Sequence, residues 1–214
     1  MAAIFLAPGI VFHVVPELAD FGPSTENGLR IVGSIVDFCL YCIAYGGLTY
    51  GFLRAYRRQT PGYKEYLAVG FEIGGKVIKT GVAAALLILV GLLLFIVPGI
   101  FLYAIFFIYP AIIVEERLGV VATLKRCFEL TRGRRVVVFA ILLASIAVMA
   151  IAVSPIYLVA IPADLFLVEG KDIVFTHLAE FLAAPIVTCV TAAFTAVLYS
   201  SLVSVENEIN PVSD

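Results

Sequence analysis

An all-helical, polytopic membrane bundle is the fold class this sequence predicts, and three observations predict it. Of its 214 residues 62% are hydrophobic and 14% charged, against roughly 45–50% and about 25% in soluble domains. So few charges cannot coat a water-soluble fold of this size, whereas lipid contact needs none. The basic residues are also grouped: of fourteen, six fall at Arg54, Arg57, Arg58, Lys64, Lys76 and Lys79 and six at Arg117, Lys125, Arg126, Arg132, Arg134 and Arg135. Finally, the stretches between and around these groups are apolar over the length needed to cross about 30 Å of hydrocarbon. The same composition excludes a disordered chain, a collagen-like repeat and a disulfide-dense secreted scaffold.

Taken in order, residues 1–15 are apolar but interrupted by Pro8-Gly9, and they lack the basic start of a signal peptide. They predict a short or partial sixth span. Residues 31–53 form the first full span. Residues 60–79 alternate apolar and charged positions at helical spacing, with Pro61 suited to a first turn, and predict an amphipathic helix that its three glycines at 70, 74 and 75 weaken.

From Gly81 to Val114 there is no charge. That is too long for one ordinary helix, and the sequence predicts a hairpin with arms 82–97 and 100–114 and its turn at Pro98 and Gly99, near the outer surface. A single kinked helix would put the two basic loops on opposite sides, against the positive-inside bias. Residues 119–132 predict a second amphipathic helix, stopped by Gly133. Residues 136–160, with a kink near Pro155, and 178–203 complete five spans. The acidic stretches 17–26 and 164–172 fall on the other side from the basic loops, and the charge rule places the C-terminus in the cytoplasm.

Few residues in the spans can do chemistry. Asp37, His177 and Glu180 are the candidate intramembrane polar site, a proton or cation site in the outer leaflet. The competing reading leaves His177 and Glu180 at the interface, with Asp37 bonded to a neighbouring helix or water. Cys39 and Cys42 share the spacing of a redox motif but lie within a span, where packing is the simpler role. The two histidines, His13 and His177, carry no haem motif. No catalytic or metal-binding signature is present, so neither enzyme activity, a cofactor nor a nucleic-acid partner is expected. On the basic loops, Arg57, Arg58, Lys125, Arg126, Arg132, Arg134 and Arg135 are candidate contacts for anionic lipid or a partner protein. The plainer reading is that these segments only connect spans.

The most patterned stretch is Val97-Pro98-Gly99-Ile100, then an arm ending Tyr109-Pro110-Ala111-Ile112-Ile113-Val114-Glu115-Glu116, then Leu118-Gly119-Val120 and Leu124 through Thr131-Arg132-Gly133. Over residues 82–140 it resembles the uncharacterised bacterial YciC-like inner-membrane proteins and the membrane domain attached to some glycerophosphoryl diester phosphodiesterases. Pro185 and Leu198-Tyr199 extend the resemblance; before residue 60 it is poor. The resemblance implies a bundle of about six helices with no established activity, since the phosphodiesterase domain is absent from this sequence. A non-enzymatic accessory or scaffold subunit that contacts lipids, another membrane protein or a second copy is the functional expectation. A small transporter or channel using Asp37, His177 and Glu180 is the alternative.

Overall fold

The computed structural model describes residues 23–59, 62–167 and 173–209; the expected short span at 1–15 lies outside them. Among the described residues there are seven helices and no strand: α1 (Pro23–Tyr56), α2 (Tyr63–Leu94), α3 (Ile96–Phe106), α4 (Tyr109–Glu116), α5 (Val120–Thr131), α6 (Arg135–Leu167) and α7 (Ile173–Ile209). Five segments are long and apolar enough to cross a membrane: Ile31–Tyr56, Tyr63–Leu94, Ile96–Glu116, Arg135–Ala160 and Leu182–Glu208.

The expected boundary between an amphipathic helix at 60–79 and a span at 82–97 does not exist. Both lie on the single helix α2. The reason is the use made of its glycines. A Cβ on Gly70 would lie 2.7 Å from the carbonyl oxygen of Ile43, one on Gly74 would lie 2.8 Å from the Ile43 side chain, and one on Gly47 would lie 2.7 Å from the carbonyl oxygen of Tyr66. Gly47, Gly70 and Gly74 therefore form the seam along which α1 and α2 touch backbone to backbone. Each glycine costs about 1 kcal/mol of helix propensity, which close packing offsets. Gly75, which faces open space, takes no part.

The hairpin is present, but its turn is at Phe95 rather than at Pro98 and Gly99. A Cβ on Gly91 would lie 3.1 Å from Gly99 Cα, and one on Gly81 would lie 2.9 Å from the Tyr109 hydroxyl. Positions 91 and 99 are each four residues from 95, and 81 and 109 each fourteen, so α2 and the α3–α4 arm run antiparallel about Phe95. Phe95 alone is extended (φ −162°, ψ 145°). Pro98 instead occupies the first turn of α3, where a helix does not need its N–H.

The returning arm breaks between α3 and α4 because Pro110 supplies no N–H to the preceding turn. The freed backbone is met from α7: Thr195 Oγ1 donates to the Phe107 carbonyl at 3.4 Å, and Tyr45 of α1 donates to Thr195 Oγ1 at 2.9 Å. Such repair by hydroxyls of neighbouring helices is what lets a membrane helix tolerate proline. Helix α6 continues unbroken past Pro155, with Ser154 Oγ donating to the Ile151 carbonyl at 3.1 Å.

The core lies around α4, where Ala111, Ile112 and Ile113 are fully buried. The arm that contains α4 is 56% buried, against 17% for the span Arg135–Ala160 of α6. Helix α4 is thus the axis of the bundle and α6 its most open wall. Helix α5 matches the expected 119–132 segment, with Gly133 at φ 80° reversing the chain after it. Its buried face is Thr123, Cys127, Leu130 and Thr131, while the apolar Val121 and Phe128 are exposed. The T-shaped contact of Phe128 with Phe106, ring centroids 5.4 Å apart, links α5 to α3.

Candidate functional site

The carboxylates that close α4 are what the rest of the bundle gathers around. Glu115 and Glu116 end a charge-free run and stand where the bundle core meets both basic loops. Arg57, one residue past α1, places Nη2 2.8 Å from Glu115 Oε2. Glu116 accepts hydrogen bonds from Arg126 Nε of α5 at 3.2 and 3.1 Å and from the Tyr199 hydroxyl of α7 at 3.1 Å. The remaining edge of the Arg126 guanidinium donates from Nη1 and Nη2 to the two oxygens of Glu206 at 2.9 and 2.8 Å. One planar cation thus joins α4, α5 and α7, in the two-pronged geometry that a guanidinium matches and an ammonium does not.

Around this centre lie further cross-links. Arg134, just before α6, donates to the Leu202 carbonyl of α7 at 2.8 Å. On α2, Glu72 accepts from Arg117 at 2.5 Å and Lys76 donates to the Arg117 carbonyl at 3.0 Å. Tyr50 of α1 donates to Glu65 of α2, and the Arg54 guanidinium sits 5.1 Å from the Tyr50 ring centre. These contacts place both basic loops and the C-terminal end of α7 at one end of the bundle, which is the arrangement the charge pattern required.

Two groups at this end lie outside the spans and have shifted ionisation. The hydrogen bonds it donates to Glu206 and then to Glu116 hold Arg126 more firmly in its charged form than usual, against the opposing effect of burial. Burial pushes the Cys127 thiol well above the ordinary thiol range. Two carboxylates facing one guanidinium leave the Glu116, Arg126, Glu206 cluster with a net charge of −1. Glu115 Oε1 is buried with no hydrogen-bond partner among the described residues.

The candidate contacts divide accordingly. Arg57, Arg126 and Arg134 bond within the chain, and Arg135 lies over the Phe101 ring at 4.8 Å. Arg58, Lys125 and Arg132 are exposed. Asp37 is half-buried on α1 and engaged in an interaction. The side chains of His177 and Glu180 lie outside the described residues. Their backbone belongs to the N-terminal end of α7, and with Tyr45 meeting Thr195 on parallel helices, Asp37 is level with about residue 187, some 10 Å short of Glu180 at 1.5 Å per residue. Among the described residues no group of three or more His, Cys, Asp or Glu side chains is set to hold a metal ion.

Sequence reasoning missed Glu115, Glu116, Tyr199 and Glu206. A signal existed for the first two, the abrupt pair of acids after 34 uncharged residues. For Glu206 the tail composition carried none.

The model of a domain of unknown function, DUF7847, matches residues 40–202. The chain belongs to the DUF7847 family. No curated protein and no solved structure matches it. The matched region starts inside α1 and ends at Leu202, so it takes in the glycine seam, the hairpin, Glu115, Glu116, Arg126 and Tyr199, and leaves Glu206 beyond its edge.

Proposed function

We propose that this DUF7847 protein is a non-enzymatic accessory or scaffold subunit of a bacterial inner membrane, with its basic end in the cytoplasm and its apolar wall against lipid or a partner membrane protein. The observation that carries the reading is how the buried hydroxyls of the spans are used. Thr49, Ser145 and Thr188, which are buried, and Thr191, which is half-buried, donate to carbonyls of their own helices at 2.7–2.8 Å, while the buried Thr80 Oγ1 has no partner among the described residues. Protons committed within the helix in this way favour a packed bundle over the polar path a transporter needs. Meanwhile Val136, Leu143, Ile151 and Leu158 of α6 are exposed along its length, a wall that hydrocarbon or another apolar helix must cover.

Affinity capture from native membranes, with co-purifying proteins and lipids identified, tests the proposal. A stoichiometric membrane protein or a retained lipid class is expected; recovery of the chain alone and lipid-free counts against it. The transporter alternative is tested by Asp37→Asn in reconstituted vesicles: an ion or proton flux that this substitution abolishes would replace the scaffold reading.

A further inference from the structure

We infer that the α2–α3 hairpin is re-entrant: its tip, residues 92–97, ends inside the hydrocarbon on the basic side of the membrane, covered by the acyl chains of that leaflet, and does not emerge on the far face. Three independent observations converge on this.

The first is chemical. A turn that reaches water ordinarily carries polar residues, yet this one reads Leu92-Leu93-Leu94-Phe95-Ile96-Val97 and all six side chains are exposed, Leu93, Phe95 and Val97 by 78%, 71% and 77%. No other described part of the chain covers them. The second is the backbone. The break between the helices is one residue long, and that residue has both backbone groups paired: the Phe95 N–H donates to the Gly91 carbonyl at 3.0 Å and the Phe95 carbonyl accepts from the Gly99 N–H at 3.4 Å. Pro98 removes one further donor that would need a partner. Pairing both polar groups of the one non-helical residue lowers the cost of burying it in lipid.

The third is depth. Phe101, six residues beyond the apex, lies under the Arg135 guanidinium, 4.8 Å from ring centroid to Cζ, and its ring is 6.3 Å from that of Phe139. Arg135 opens α6 directly after Arg132 and Arg134, at the end of the bundle where the basic loops meet. A guanidinium there reaches the headgroups. Six residues of helix rise about 9 Å. Adding one extended side chain puts the tip no more than about 15 Å below the headgroup plane, near the middle of a core about 30 Å thick. Among the described residues the complete crossings are then α1, α6 and α7, and the hairpin occupies one leaflet.

The sequence contains no tryptophan, so a single introduced indole reports its own surroundings. Phe95→Trp, with Val97→Trp as a second tip variant should the first not accumulate, is reconstituted into vesicles of lipids brominated at known depths along the acyl chain. Tyr63→Trp, at an exposed position on the basic end, is the aqueous control. The tip indole is expected to emit at short wavelength, to be quenched most by mid-chain bromines, and to lose the iodide quenching seen at position 63. Iodide quenching at the tip equal to that of the control would mean that the tip reaches water and would overturn the inference. Protection from both iodide and brominated lipid would mean that a second copy or another protein covers the tip, and would overturn the lipid assignment.

Discussion

Arg126 and Glu206, 80 residues apart in the chain, face each other through two parallel hydrogen bonds of 2.9 and 2.8 Å. The pair is the far half of a bridge whose near half is Glu116, so a helix outside the spans, α5, is tied at once to the core of the bundle and to the last helix. Side-chain exposure is 25% for Arg126, 24% for Glu116 and 35% for Glu206, partly withdrawn from water and so worth more than a surface pair.

Arg126→Ala strands two carboxylates that now share one cation. A loss of about 1–3 kcal/mol is expected, discounted from the buried-pair range for this exposure. Arg126→Lys keeps the charge but loses the fork, and falls between. Thermal unfolding in detergent measures both, and a double-mutant cycle with Glu206→Gln isolates the coupling. Unfolding midpoints unchanged in all three variants would show that the bridge ties nothing.

Alanine at the glycine seam separates contact from propensity. Gly70→Ala drives a methyl against the Ile43 carbonyl oxygen, where neither helix backbone can yield cheaply, and a destabilisation of about 1–3 kcal/mol follows. Gly75→Ala, one turn further on and facing open space, should instead stabilise by up to about 1 kcal/mol. Opposite signs in the same unfolding assay are the expected result; equal effects would remove the seam.

Cys127 is fully buried although its helix lies outside the spans, and burial raises its thiol pKa. The folded protein should leave it unalkylated at pH 8, with full reaction only after unfolding. The sign for stability follows: the unfolded chain ionises this thiol at its ordinary value while the folded one does not. Its contribution is therefore constant below that value and declines as pH rises above it. Mass spectrometry of alkylated native protein between pH 7 and 9 checks the first point, since rapid native labelling would place the thiol at the surface.

Arg58, Lys125 and Arg132 are the exposed members of the basic set, which lets lipid contact be tested without disturbing the internal bridges. Replacing all three by glutamine should leave the unfolding midpoint within about 0.5 kcal/mol equivalent of the parent while reducing the anionic lipid retained on purification from native membranes. Undiminished retention would confine these residues to setting topology.

Several features were legible in the sequence because they depend on local pattern. Hydropathy identified the bilayer as solvent, the charge-free run from Gly81 to Val114 required a hairpin once both basic loops had to share a side, and the amphipathic pattern of residues 119–132 with Gly133 beyond predicted α5 almost to the residue. Glycine was misread for a physical reason. Propensity counts Gly70 and Gly74 as weak helix formers, whereas their value depends on a neighbour, α1, that no window along α2 contains. The hairpin apex was misplaced similarly: Pro98-Gly99 has turn composition, but proline within a first helical turn and glycine against Leu92 are equally good uses of those residues.

By itself, then, the sequence determined the medium, the helices and which loops share an end, since each follows from hydrophobic length and charge along the chain. Only the tertiary structure decided that Glu116, Arg126, Tyr199 and Glu206 converge and that Phe101 lies beneath Arg135. Those meetings join residues 10 to 83 positions apart through helix register, and ion pairing and depth in a membrane are properties of where helices stop relative to one another, which periodicity within one helix does not encode.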